Sequence, residues 1–89
     1  MSRARFVVRG LVQGVNFRAA AAHEAQRLGI RGRIWNRDDG PVEADAGGDD
    51  AALAAFEGWL RRGPRYARVT SVEREVVAGE PRVRGFSIG

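Results

Sequence analysis

Residues 10–18 form the part of the chain whose residue types and spacing best suit chemistry. They read Gly-Leu-Val-Gln-Gly-Val-Asn-Phe-Arg and lie between a strand-like stretch and a stretch of helical periodicity. Backbone N–H groups in such a loop can converge on one point, and the positive end of the following helix strengthens their attraction for an anion. Arg18 falls in the first helical turn, and its guanidinium matches phosphate oxygens two at a time. By itself the pattern favours phosphate binding only weakly, because glycine-containing loops before helices are common.

Composition removes several other kinds of chemistry. The 89 residues include 15 arginines and one histidine, with no lysine and no cysteine. A Schiff base, a cysteine nucleophile, a thiolate metal site and a multi-histidine metal site are therefore excluded. The net charge of +4 favours an anionic partner, either a phosphate-bearing metabolite or a nucleic acid.

Length and hydropathy set the expected organisation and location. A chain of 89 residues predicts a single domain spanning residues 1–89. No stretch approaches the roughly 20 apolar residues that cross a bilayer, and the N-terminal residues enter a strand-like segment without a signal-peptide apolar region. We therefore expect a cytoplasmic protein with no membrane partner.

Hydrophobic periodicity predicts the elements that must position the loop. Residues 4–9 alternate as in a half-buried strand. From Phe17 the apolar spacing becomes helical, and Asn16 is the predicted N-cap, whose side-chain oxygen would accept a backbone N–H of the first turn. The remaining predicted elements are strands at 32–36 and 42–46 joined by a turn at Asp38-Asp39-Gly40, a helix from Asp49 or Asp50 to Gly63-Pro64, and strands at 69–77 and 82–88.

The order of these elements predicts the fold class. It is β-α-β-β-α-β with a short closing strand, the order of a ferredoxin-like α+β sandwich. In that fold an antiparallel sheet carries two helices on one face and leaves the other face exposed. The two central strands are expected at residues 4–9 and 42–46, with arginines on one and carboxylates on the other facing outward.

Two sequence motifs resemble those of the acylphosphatase family. Residues 10–18 are similar to its V-Q-G-V-x-F-R motif, and residues 32–36, Gly-Arg-Ile-Trp-Asn, are similar to its second motif, which ends in asparagine. The similarity extends in collinear order over about residues 4–88. One departure is that the family's aromatic residue after the glycine is Arg33 here, whereas Trp35 supplies an aromatic two positions later on the same strand face.

The resemblance implies a function and a set of site residues. A family member hydrolyses acyl phosphates to a carboxylate and inorganic phosphate without a metal or any other cofactor. The resemblance implies that Arg18 neutralises the phosphate and that Asn36 holds the attacking water. It also implies that the phosphate is bound by the loop backbone of Gln13, Gly14, Val15, Asn16, Phe17 and Arg18. The expected partners are a small acyl phosphate and inorganic phosphate as product, with no nucleic acid, and the chain is expected to be a monomer.

Two other functions compete with this interpretation. Ferredoxin-like sheets bind RNA through aromatic side chains on their central strands, but residues 5, 7, 9, 43 and 45 include no aromatic. A phosphate-binding module without turnover would keep the fold and the loop.

Ordinary structural roles account for other polar or aromatic residues: solvation for His23, turn and cap positions for the aspartate pairs, and helix packing for Trp59. Trp35 is expected on the open sheet face among arginines.

Overall fold

The computed structural model describes residues 1–81 and 83–89 as five strands and two helices in the predicted order. The bounds are β1 Ser2–Leu11, α1 Phe17–Arg27, β2 Arg31–Asn36, β3 Val42–Gly48, α2 Asp50–Arg62, β4 Arg68–Val76 and β5 Phe86–Ile88. The closing strand predicted at 82–88 begins only at Phe86, and residue 82 of that prediction lies outside the described residues.

The five strands form one sheet in the order β4-β1-β3-β2-β5. The pairs β1–β3, β1–β4 and β2–β3 are antiparallel, as predicted. The closing strand differs, since β5 pairs parallel with β2 and makes the sheet mixed. This order fits the ferredoxin-like α+β class, and in the sheet β1 and β3 are the central neighbours that the sequence predicted.

Alternating side chains decide which sheet face the helices cover. Ala4, Phe6 and Val8 of β1 are buried against the helices, together with the apolar stripe of α2. Edge-to-face aromatic contacts join the layers, with ring centroids 5.9 Å apart for Phe6 and Phe56. The helix-covered face therefore holds the hydrophobic core.

The opposite face carries ion pairs between neighbouring strands. Arg3 donates hydrogen bonds to both carboxylate oxygens of Asp45, at 2.8 and 2.7 Å. Arg5 lies 3.4 Å from Glu43, so the arginines of β1 and the carboxylates of β3 that were predicted to face outward pair with each other. Arg33 lies over the Trp35 ring, 4.7 Å from its centroid, which confirms that both side chains share this face.

Several predictions about individual residues are also confirmed. His23 is exposed, and Trp59 packs edge-to-face on Phe17 with ring centroids 5.6 Å apart.

In the part of the chain that the structure describes, neither helix is long and apolar enough to cross a membrane. The division into a single domain of residues 1–89 stays a prediction.

Candidate active site

Sheet topology brings the loop after β1 and the end of β2 to the same edge. Both strands run antiparallel to β3, so they run parallel to each other and their carboxyl ends point the same way. The β1–α1 loop, residues 12–16, follows β1 at this edge. Asn36 is the last residue of β2 at the same edge. Two segments that are distant in sequence therefore meet across the width of β3.

A cleft of about 170 Å³ lies where these segments meet. Arg18 and Asn36 both line it, so the structure brings together the two side chains singled out from the sequence. The lining residues are Val12, Gly14, Asn16, Phe17, Arg18, Ala19, Asn36 and Ile88. Of the predicted loop residues, Gln13 and Val15 are not part of the lining, and Val15 packs instead against the core.

The backbone of the β1–α1 loop turns into the left-handed region twice. Gly14 has φ 76°, which glycine adopts without steric cost. Asn16 has φ 63° and ψ 24°, and asparagine is one of the few other residues that tolerate this conformation. Turns of this kind can direct successive N–H groups toward one concave surface, and that such a surface forms here stays a prediction of the sequence motif.

The prediction that the Asn16 side chain caps α1 is wrong. Asn16 is at the N-cap position, but its side chain makes no capping hydrogen bond. The physical reason is its left-handed backbone, because a capping side chain normally requires an extended N-cap residue. The first helical bond runs from the Ala20 N–H to the Asn16 carbonyl at 3.2 Å. The N–H groups of the first turn before Ala20 are left for a ligand or water.

Arg18 presents an available positive charge at this helix N-terminus. Its side chain is half-buried, and no carboxylate among residues 1–81 and 83–89 pairs with it. Arg37, beside Asn36 in the sequence, is different: its guanidinium lies 2.8 Å from Asp39 and 3.4 Å from Glu43. The charge of Arg37 is therefore largely compensated by its own hairpin, whereas that of Arg18 is not.

Asn36 presents an available amide. It shares strand parity with buried Ile34, so it belongs to the helix-covered side, where α1 begins. Because it ends the strand, it is exposed at the cleft rather than covered by a helix. Within the described residues its side chain donates and accepts no hydrogen bond, which leaves the amide available to a ligand or water.

Sequence reasoning missed the side-chain contacts of Gln13 and the position of Ile88. The Gln13 amide nitrogen donates to the backbone carbonyls of Arg37 and Pro41, at 2.9 and 3.3 Å. Ile88 lines the cleft because β5 pairs with β2, where Ile34 is its partner. The sequence offers only weak signals for them, an aliphatic residue at the end of the closing strand and a polar residue inside the glycine loop. Neither signal indicates the contact, because each contact joins residues far apart in sequence.

The arrangement suits binding of a phosphate group beside an ordered water. The described residues that line the cleft include one guanidinium and the carboxamides of Asn16 and Asn36, and they include no carboxylate and no imidazole. Chemistry in this cleft must therefore rely on charge stabilisation and orientation by these groups, and not on a titrating acid or base of the lining.

Comparisons with known proteins give consistent results. A family model described as Acylphosphatase matches residues 4–88. An acylphosphatase of Anaeromyxobacter sp. (strain Fw109-5) is 52% identical over 73 residues, which are 82% of this chain and 78% of that protein. The crystal structure of acylphosphatase from Bacillus subtilis superimposes with a TM-score of 0.96 at 35% identity, covering 100% of this chain and 99% of that one. An acylphosphatase structure from Coxiella burnetii gives a TM-score of 0.94 at 30% identity, covering 99% and 92%.

Proposed function

Because the chain belongs to the acylphosphatase family of hydrolytic enzymes, we propose that it hydrolyses the carboxyl–phosphate bond of acyl phosphates through Arg18 and Asn36. The products are a carboxylate and inorganic phosphate. The observation that carries the proposal is the cleft where an uncompensated arginine, a helix N-terminus and a free carboxamide lie together.

The phosphate group is held by the start of α1 and the loop before it. Backbone N–H groups between Gln13 and Arg18 donate to the phosphate oxygens, and the helix dipole adds to their attraction. The Arg18 guanidinium binds two of these oxygens and neutralises charge that grows in the transition state. The absence of a capping hydrogen bond from Asn16 supports this role, since a capping side chain would have taken up one N–H group of the first turn.

Asn36 orients the attacking water from the other side of the cleft. Its carboxamide can both donate to and accept from one water molecule. The water oxygen forms a bond to phosphorus, and the bond between phosphorus and the acyl oxygen breaks with its electron pair leaving on the carboxylate. The proton of the water passes to a phosphate oxygen, which needs no side chain of the protein.

The leaving group explains why so few functional groups suffice. The acid formed from the departing carboxylate has a pKa of about 4, so the group leaves as an anion without protonation. Phosphoryl transfer then requires mainly position and charge stabilisation. We accordingly propose that the reaction needs no metal or other cofactor. We also propose that the chain acts as a monomer in the cytoplasm.

The open sheet face favours the enzyme over a nucleic-acid-binding module. Arg3 and Arg5 on this face are engaged by Asp45 and Glu43. The ring of Trp35 is covered by Arg33, which leaves it poorly placed to stack on a base.

The test is hydrolysis of benzoyl phosphate by the purified chain in excess chelator, beside the Asn36→Ala variant. We expect chelator-resistant turnover that falls by at least about 10²-fold in Asn36→Ala, because one preorganised group contributes about that much. The inhibition constant for inorganic phosphate should stay nearly unchanged, since the loop and Arg18 are intact. The matched control is Asp38→Ala, an exposed position in the same hairpin and outside the cleft.

Two outcomes would contradict the proposal. A correctly folded wild-type chain that binds phosphate but does not hydrolyse benzoyl phosphate would be a phosphate-binding module without turnover. Wild-type turnover that persists in Asn36→Ala, with the circular dichroism spectrum unchanged, would remove Asn36 from the mechanism while leaving the activity in place.

A further inference from the structure

We propose that Gln13 is a positioning residue whose side chain sets the distance between the phosphate and the water held by Asn36. The inference rests on the proposed function and adds a role for a side chain where the family motif gave a role only to the backbone. The geometry that carries it is a two-pronged hydrogen bond from the β1–α1 loop to the β2–β3 hairpin.

Both hydrogen-bond acceptors of Gln13 lie at the base of that hairpin. The side-chain nitrogen donates to the Arg37 carbonyl at 2.9 Å and to the Pro41 carbonyl at 3.3 Å. The Pro41 carbonyl also accepts the Arg37 N–H at 2.8 Å, so the two acceptors belong to one closed turn. A primary amide has two N–H donors, and here each can be assigned to a separate carbonyl.

These two carbonyls bracket the backbone of Asn36. Arg37 follows Asn36 directly, and Pro41 precedes Val42, the strand partner of Asn36. Because the Gln13 amide donates to both carbonyls, it restrains the position of the hairpin and also its tilt. The Asn36 side chain, which begins one residue away, is therefore held relative to the loop on which Gln13 lies.

The sheet provides no direct connection of this kind. The order β1-β3-β2 places a whole strand between the loop and Asn36, so backbone pairing joins them only through β3. The hairpin is bounded by an exposed turn, where local motion costs little. Catalysis by orientation is sensitive to such motion, since a misplacement of about 1 Å can cost about 10²-fold in rate. The hydrogen bonds of Gln13 connect the loop directly to the hairpin, next to Asn36, where such a misplacement would lower the rate.

The Gln13 contacts are also sheltered enough to be strong. Gln13 is half-buried and Pro41 is buried, so water competes weakly for the two carbonyls. The residue lies outside the cleft lining, which fits a role exerted through Asn36 and not on the substrate.

The experiment compares Gln13→Leu with the wild type in benzoyl phosphate hydrolysis. We expect kcat to fall by about 10- to 100-fold while the inhibition constant for inorganic phosphate changes less than about threefold, because the loop backbone and Arg18 remain. The matched control is Gln26→Leu. Its amide also donates to a backbone carbonyl, that of Phe86 at 3.1 Å, but Phe86 pairs with Gly32 near the start of β2, away from Asn36 and the turn, so kcat should not change.

A double-variant cycle separates positioning from general support of the fold. If Gln13 acts through Asn36, then Gln13→Leu should lower the residual kcat of Asn36→Ala by less than about threefold, because there is no amide left to misplace. An equal loss in both backgrounds would overturn the inference. So would a normal kcat in Gln13→Leu, or a phosphate inhibition constant that rises as much as kcat falls.

A second variant keeps the test decisive if Gln13→Leu does not fold. Gln13→Glu has the same shape, but its ionised carboxylate cannot donate to the two carbonyls. Protonation restores one donor, so its kcat relative to wild type should recover as the pH falls below about 5. A flat ratio across that range would overturn the inference. Inactive wild type would instead overturn the proposed function, so the two failures are distinguishable.

Discussion

Arginine supplies every strongly basic side chain of this protein, and individual arginines have different environments. Arg3 and Arg37 form close pairs with carboxylates and help to join strands or to shape a turn. Arg18 has no such partner among the described residues and lies in the cleft. The environment of each guanidinium, and not the number of arginines, indicates whether it is available to an anion, and Arg18 is both available and part of the cleft.

At the residue scale we predict that Arg18 cannot be replaced by another cation. Arg18→Lys should lose about 10²–10³-fold in kcat and should also bind inorganic phosphate much more weakly, because an ammonium cannot bind two oxygens in the fork geometry of a guanidinium. Arg27→Lys, at the other end of α1, is the control and should behave as wild type. Steady-state kinetics and phosphate inhibition measure both effects. Near-normal constants in Arg18→Lys would remove this residue from the proposed mechanism.

At the element scale, the close approach of β2 to β3 places Asn36. Gly32 has φ 143°, and a Cβ at this position would lie 1.8 Å from the Asp45 carbonyl oxygen. Only glycine fits this contact, because the obstacle is backbone and cannot rotate away. The glycine that begins the second sequence motif therefore has a packing role, four residues before the proposed catalytic amide.

We predict that Gly32→Ala separates these two strands. The free energy of unfolding should fall by at least about 2 kcal/mol, from steric displacement and backbone strain together. Gly58→Ala is the control, because Gly58 is an exposed position in α2 where an added Cβ meets nothing within 4 Å. That change should stabilise the chain by about 0.5–1 kcal/mol. Chemical denaturation measures both, and equal stabilities of the two variants would contradict the steric argument.

The elements themselves follow closely from the sequence. Period-2 alternation predicted β1 and helical spacing predicted α1, because each places apolar residues on the face that must be buried. The strand predicted at residues 42–46 is longer in the structure, because β3 also includes Gly47 and Gly48. They pair with Arg3 and Ser2 of β1, and this neighbour overrides the weak strand preference of glycine.

At the scale of the whole molecule, ion pairs on both faces make stability depend on pH. The hydrogen bond from Arg3, aided by its charge, holds the pKa of Asp45 below the usual range despite partial burial. On the helix side, the hydrogen bond from Arg61 lowers the pKa of Glu57, and Arg74 adds to the shift. A folded pKa below the unfolded value means that the stabilisation is present at neutral pH and is lost as the pH falls.

We therefore predict that the chain loses stability in acid and that protonation of Asp45 causes a measurable part of the loss. The free energy of unfolding should fall between about pH 6 and about pH 3, through the range where unfolded aspartate titrates near 4. Asp45→Asn should be less stable than wild type at the higher pH and should lose less on acidification. Asp38→Asn, at an exposed turn position, should keep the full wild-type loss. Denaturant titrations at both pH values decide the matter, and parallel losses in wild type and Asp45→Asn would contradict the assignment.

The sequence by itself determined the element order and the sandwich class, because periodicity is a local property of the chain. Its resemblance to the acylphosphatase family indicated the candidate pair Arg18 and Asn36. Tertiary structure decided what depends on residues far apart in sequence. It brings the β1–α1 loop and the end of β2 together across β3, adds Ile88 through the parallel pairing of β5, and joins Gln13 to the hairpin. The missing capping hydrogen bond of Asn16 also depends on the tertiary structure, since the left-handed backbone of Asn16 is set by the path of the loop between β1 and α1. Hydrogen bonds and contacts of this kind carry no sequence periodicity, so only the folded chain shows them.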